Sequence, residues 1–234
     1  MFTVMNDTIT AIATPPGEGG LSIIRISGED ALRIAMILFH PAKSNSDLTP
    51  QKVVFGEIRD PETNQCRDEV LLTFFKAPKS YTAEDVIEIS AHGGTLITKK
   101  ILALVLAQGA RLAEPGEFTR RAFTNGRLDL TQAEAVADVI ESASDKALNS
   151  AMAQLKGGLS SRLSALHENL LAAQAQLEAA IDFSEDGLTF ESRETTEKNL
   201  QQVESELREL VDSFRHGKIV REGMQVTLVG KPNV

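Results

Sequence analysis

"EPGEFTRRAFTNGRLDLTQAEAVADVIES", Glu114 to Ser142, is where this chain changes character. On its N-terminal side, short alternating or apolar runs are punctuated by glycine and proline, which is the pattern of strands joined by turns. "TITAIAT" (Thr8 to Thr14) and "LSIIRIS" (Leu21 to Ser27) read as strands on either side of the turn-rich "PPGEGG". "GEDALRIAMILF" has helical spacing. "KVVFGEIRD" and "DEVLLTFFK" flank a turn over Pro61 to Cys66 and predict a hairpin, and "EDVIEIS" (Glu84 to Ser90) predicts a further strand. "GGTLITKKILALVLAQGA" then opens a helix after Gly93 and Gly94. Hairpins mixed with helices predict an α+β domain.

On the C-terminal side, from Leu130 onward, nearly everything has helical periodicity. Leu148, Met152, Leu155, Leu159, Leu163, Leu166, Leu170, Ala173, Leu177 and Ile181 recur at spacings of three and four. That is one apolar stripe on a very long helix, with Gly157–Gly158 as its natural point of interruption. "IDFSEDGLTF" breaks the pattern, and Leu200, Val203, Leu207 and Val211 mark another amphipathic helix. Such stripes must be buried, in an antiparallel bundle or against a partner. The chain closes on "QVTLVGKPNV", a strand-like run (Val226, Leu228) into Gly230, Lys231, Pro232, Asn233 and Val234. A strand followed by G-x-x-x-x-G-K-[ST] is a phosphate-binding loop, and here the first glycine and four spacers are present. The expected organisation is residues 1–121, 122–222 and 223–234.

At 234 residues and 42% hydrophobic content the chain is ordinary for a globular protein of one or two domains. A single cysteine, Cys66, excludes an internal disulfide framework and suits a reducing compartment. No apolar run approaches the roughly 18 residues of a membrane span, and "MFTVMNDTIT" lacks the basic and apolar regions of a secretory signal. A cytoplasmic location is expected. The net charge of −9 argues against a broad basic nucleic-acid surface.

Few residues invite chemistry. "TPPGEGG" precedes a strand and not a helix, so it is a tight turn for close backbone approach and not a usual phosphate cradle. Arg25 shares the face of its strand with Leu21 and Ile23, and a guanidinium there must reach water, a neighbouring strand's acceptor, or a ligand. Glu88, in "DVIEIS", poses the mirror problem: it pairs with a cation or offers a bidentate acceptor to a planar donor edge. Arg127, in "NGRLDL", lies at the junction of the two halves, where small-molecule clefts are common and solvated arginines are too. His92 stands at a strand end beside a glycine turn, as a hydrogen-bonded histidine or a base. His40, His167 and His216 lack metal-ligand spacing, and no zinc site is expected. "DFSEDG" is a solvated loop or a cation site. Cys66 is expected in a surface turn, and no catalytic residue is assigned within the chain.

Five stretches together carry a resemblance: "DTITAIATPPGEGGLSIIRISG", "SYTAEDVIEISAHGG", "RLAEPGEFTRRAFTNGRLDLTQAEAVADVIES", "LEAAIDFSEDG" and "REGMQVTLVGKPNV". In this order and spacing they resemble the MnmE (TrmE) family of tRNA modification GTPases, over essentially the whole chain. The resemblance implies an N-terminal tetrahydrofolate-binding domain, similar to that of the glycine-cleavage T-protein, which also pairs subunits into a homodimer. It implies a helical domain completed by C-terminal helices, and a Ras-like G domain inserted between, of which only the first strand and half the loop are present. Family members continue with Gly-Lys-Ser after this point, so the chain is expected to stop inside the GTP loop and not to hydrolyse GTP itself. The missing C-terminal helices predict self-association or disorder in the helical part, whose apolar stripe they leave under-covered.

The same resemblance implies a function and a site. With the flavoprotein MnmG, the family installs an aminomethyl-type group on the wobble uridine of tRNA. The one-carbon donor is a tetrahydrofolate derivative (formyl or methylene form), and potassium- and magnesium-dependent GTP hydrolysis drives the cycle. Arg25, Glu88 and Arg127 carry over to the folate site, Gly230 to Val234 to the GTP loop, and Asn233 to its potassium ligand. Arg127 stands where the family pattern has lysine. Ala83 stands where "TGED" has glycine, so a slightly different turn beside Glu88 is expected. A stand-alone folate-dependent aminomethyltransferase relative and a structural dimerisation module are the competing readings.

Overall fold

A computed structural model describes residues 7–43, 48–182 and 193–222, with Thr227 and residues 229–231 of the C-terminal stretch. Two compact units part between Leu128 and Asp129. The first contains a seven-stranded sheet: β1 (Ile9–Ile12), β2 (Leu21–Ser27), β3 (Phe39–Pro41), β4 (Val53–Arg59), β5 (Cys66–Phe75), β6 (Val86–His92) and β7 (Arg111–Leu112). Their spatial order is β3-β4-β5-β6-β2-β1-β7, antiparallel throughout except for the β1–β7 pair. The expected hairpin is β4–β5, and Cys66 begins its second strand instead of ending its turn.

Alternation along the strands divides the sheet into two faces. Ile24 and Ile26, Val70, Leu72 and Phe74, and Ile87 and Ile89 point inward and are buried. Against them pack α1 (Ala31–Leu38), through Ala31, Ile34, Ala35 and Leu38, and α2 (Thr95–Ala107), through Thr98, Ile101 and Val105. Each fully buried isoleucine or leucine contributes roughly 1.5–3 kcal/mol, which makes this layer the main source of the unit's stability. The opposite face carries Arg25 on β2, Glu88 on β6 and Thr73 on β5 in one cross-strand row. A short helix, α3 (Glu117–Thr124), closes the unit, and the boundary expected at 121/122 falls inside it.

In the second unit, α4 (Leu130–Glu141) starts at a capping box. The Asp129 side chain accepts from the Gln132 N–H, and Gln132 Oε1 accepts in turn from the Asp129 N–H. The very long helix is two: α5 (Asp145–Leu155) and α6 (Gly158–Asp182). Gly157, at φ 86°, supplies the left-handed residue that ends α5. α7 (Arg193–Glu222) packs on α6. The stripe is only partly covered: Leu166, Ala173 and Val203 are buried, while Leu177, Ile181, Val211 and Phe214 are exposed. A groove of about 1070 Å³ runs among α4 to α7, lined by Leu159, Leu163, Leu207 and Phe214 among others. The acidic "DFSEDG" lies outside the described residues except for Asp182.

Candidate functional site

Arg25 and Glu88 face each other directly across the β2–β6 ladder. Arg25 Nε donates to Glu88 Oε1 at 2.8 Å, and its Nη2 lies 2.7 Å from the same oxygen. The two awkward charges are therefore each other's partner. Each side chain is still about one quarter accessible, at 26% and 24%, so the pair is within reach of a ligand.

Two aromatic rings flank this pair. The Arg25 guanidinium carbon is 5.3 Å from the centre of the Tyr81 ring and 5.5 Å from that of Phe118, both within cation–π range. Arg127 reaches the same tyrosine from the turn after α3. Its guanidinium carbon is 5.1 Å from the Tyr81 ring centre, and its Nη1 donates to the Tyr81 carbonyl at 3.1 Å. Arg25 and Arg127 thus both reach Tyr81, and Glu88 joins them through Arg25. Sequence reasoning missed both rings. The available signal was compositional: Tyr81 is the chain's only tyrosine, and there is no tryptophan.

A network of ion pairs holds the loop and helix that carry these rings. Arg121, nearly inaccessible on α3, donates to the Asp7 carbonyl at 2.8 Å and to Asp7 Oδ1 at 2.6 Å, and it pairs with Glu84 at 3.2 Å and Glu117 at 3.2 Å. Glu117 is fully buried and accepts from both Arg111 Nη atoms (3.1 and 2.7 Å) and from the Glu114 N–H (2.8 Å). Burial alone would raise its pKa, but the bonds from Arg111, Glu114 and Arg121 outweigh that and hold it at about 2. Ser27 Oγ joins the loop through Thr82 Oγ1 at 2.6 Å and Glu84 Oε2 at 2.7 Å, and Asn125 Nδ2 donates to the Thr82 carbonyl at 2.7 Å. Ala83, in the same loop, sits at φ 60°, the left-handed conformation that glycine adopts without steric cost.

The remaining candidates lie elsewhere. His92 Nδ1 is 2.6 Å from Asp68 Oδ1, and that bond raises its pKa. Cys66 is exposed at the start of β5, where partial desolvation and Glu57 push its thiol pKa up, away from the thiolate a nucleophile needs. The "PPGEGG" turn does allow close backbone approach, and its neighbour is the protein itself. Gly19 N–H bonds the Gly93 carbonyl at 3.2 Å, and a Cβ on Gly93 would collide with the Gly19 carbonyl. Gly230 and Lys231 are exposed and irregular, whereas Val226, Leu228, Pro232, Asn233 and Val234 lie outside the described residues. Among the described residues no cluster of three or more His, Cys, Asp or Glu could hold a metal, and no helix is long and apolar enough to cross a membrane.

The donor set around Tyr81 suits one chemical class. A carboxylate accepts adjacent N–H groups, guanidinium forks receive carboxylates, and aromatic faces receive flat rings. Planar, hydrogen-bonding, anionic ligands meet all three.

Comparison with known proteins agrees with the two-unit architecture. Residues 8–127 match the family described as GTP-binding protein TrmE N-terminus, and residues 130–227 match the MnmE helical domain. The chain is 47% identical over 230 residues to the tRNA modification GTPase MnmE of Syntrophus aciditrophicus, covering 98% of this chain and 50% of that protein. It is 48% identical over 233 residues to the MnmE of Levilactobacillus brevis, covering 97% and 49%, and 45% identical over 232 residues to that of Alkaliphilus oremlandii, covering 98% and 50%. The chain spans about half the length of these relatives.

Proposed function

The chain belongs to the MnmE (TrmE) family, and from that premise we propose that it is the folate-binding and helical portion of a GTP-hydrolysing, tRNA-modifying enzyme of the cytoplasm. Acting with MnmG, that enzyme adds a carboxymethylaminomethyl-type group to the wobble uridine, with a tetrahydrofolate derivative supplying the one-carbon unit. The observation that supports the folate reading is that Arg25 and Arg127 share the Tyr81 ring while Arg25 pairs with Glu88.

Each side chain has a role there. Glu88 accepts the adjacent ring N–H and exocyclic amine of the pterin, trading part of its bond with Arg25 for two donors on one edge. Arg25 and Arg127 take the anionic tail or the one-carbon end. Arginine in place of the family's lysine at position 127 keeps the charge and adds a planar fork.

The sheet face that holds this cluster also exposes Leu21, Val53, Phe55 and Leu71, an apolar surface fit for pairing two copies into the homodimer. In the second unit, the groove among α4 to α7 is the place for the C-terminal helices of the complete enzyme. Gly230 to Val234 correspond to the front of the family's GTP loop, with Asn233 in the role of a potassium ligand and magnesium a further cofactor of the whole enzyme.

Calorimetric titration of the 234-residue chain with 5-formyl-tetrahydrofolate tests the proposal, alongside Arg25→Ala and Glu88→Ala variants whose circular dichroism matches wild type. Saturable binding that both variants abolish is the expected result. Undiminished binding in folded variants overturns the site, and a folded wild type that ignores the ligand favours a structural module.

A further inference from the structure

Tyr81 is shared by two cations. Arg25 comes from a sheet strand and Arg127 from the turn after α3, and both guanidinium carbons lie within 5.3 Å of the centre of its ring. Arg127 is held to residue 81 twice, by the ring and by the backbone carbonyl at 3.1 Å. Residue 81 is tied down around the ring as well: its hydroxyl meets Thr119 Oγ1 at 2.8 Å, and the next residue's carbonyl is bonded by Asn125. Arg25 has Phe118 and Glu88 as well, so its position is over-determined, whereas exposed Arg127 leans on Tyr81.

We propose that Tyr81 is a positioning residue: its ring holds the guanidiniums of both Arg25 and Arg127 and so presets the cationic end of the ligand site. A guanidinium already held over an aromatic face has less side-chain freedom to lose when it receives a carboxylate. The ring, and not the hydroxyl, performs this task. The inference rests on the folate reading for its ligand, but the positioning has a readout that needs no ligand.

The test compares wild type, Tyr81→Phe and Tyr81→Leu in two measurements. In proton–nitrogen NMR of the arginine side chains, with Arg25 and Arg127 assigned by Arg→Lys variants, ring current should displace both Nε–H signals from that of exposed Arg162. That displacement reports contact, and the heteronuclear NOE of the same Nε–H groups reports positioning: Tyr81→Phe should keep both side chains ordered, and Tyr81→Leu should release Arg127 to the mobility of Arg162 while Arg25 stays held by Glu88 and Phe118. In titration with 5-formyl-tetrahydrofolate, Tyr81→Phe should bind within about threefold of wild type and Tyr81→Leu about tenfold more weakly. An Arg127 as ordered in Tyr81→Leu as in wild type overturns the positioning, as does equal binding by Tyr81→Leu and wild type. A Tyr81→Phe variant as weak as Tyr81→Leu overturns the role of the ring in favour of the Thr119 bond. An Arg127 that Tyr81→Leu releases, in a chain whose wild type binds no folate, sinks the folate reading and leaves the positioning standing.

Discussion

Replacing Glu117 by glutamine removes a charge and almost no volume from the most heavily paired carboxylate of the first unit. The side chain is inaccessible and receives Arg111 twice, Arg121 once and a backbone N–H. A glutamine amide keeps one accepting oxygen and turns an N–H₂ toward the remaining donors. Arg121 retains Asp7 and Glu84, so it is not wholly stranded. The cost should therefore lie at the lower end of the 3–5 kcal/mol typical of breaking a buried pair, about 3 kcal/mol. Linkage gives a matching size: holding a carboxyl at about 2 when its ordinary value is 4.5 is worth about 3 kcal/mol. The folded value is depressed, so this stability is present above pH 4.5 and drains away as the pH falls toward 2. By pH 3 about 2 kcal/mol of it should be gone, leaving the two proteins roughly 1 kcal/mol apart. Urea unfolding followed by the fluorescence of Tyr81, which reports the first unit alone, measures both gaps. A variant within 1 kcal/mol of wild type at pH 7, or a gap as wide at pH 3 as at pH 7, would refute the reasoning.

Three other substitutions probe the first unit. Ala83→Gly relieves the left-handed strain at φ 60° and should stabilise the first unit by about 0.5–1 kcal/mol in the same assay, with a loss of stability counting against the strain. Gly93→Ala drives a methyl group into the Gly19 carbonyl and should cost on the order of 1–3 kcal/mol, visible as a lower thermal midpoint; an unchanged midpoint would mean the backbones part without penalty. Phe55→Glu, half exposed on the outer sheet face, should shift the chain from dimer to monomer in light scattering, and a variant that stays dimeric moves the pairing surface elsewhere.

The fold was legible where burial is apolar. The runs "LSIIRIS" and "DVIEIS" give β2 and β6 because one face of each carries paired isoleucines (Ile24 and Ile26, Ile87 and Ile89) while the charges Arg25 and Glu88 mark the other. α3 was invisible to that reasoning: two of its three buried positions are Glu117 and Arg121, and charges buried in pairs look like a solvated stretch. β3 and β7, of three and two residues, are too short for any periodicity. At the site, Arg25 and Glu88 stood out as charges on strands. Their mutual pairing needed the β2–β6 register, which joins residues 63 apart. Tyr81 offered no pattern at all, since a loop aromatic acquires its neighbours only when α3 and the sheet close around it. The break at Gly157 was readable only as an interruption, because the apolar stripe continues past the glycine pair and glycine's own helix-stopping tendency is the one local signal there.

The decisive measurement is a crystal structure of the chain grown with 5-formyl-tetrahydrofolate. The pterin edge should lie within hydrogen-bond distance of Glu88, with the ligand's carboxylates met by Arg25 or Arg127 beside Tyr81. Ligand bound at full occupancy elsewhere, with the Arg25–Glu88 pair undisturbed, would contradict it.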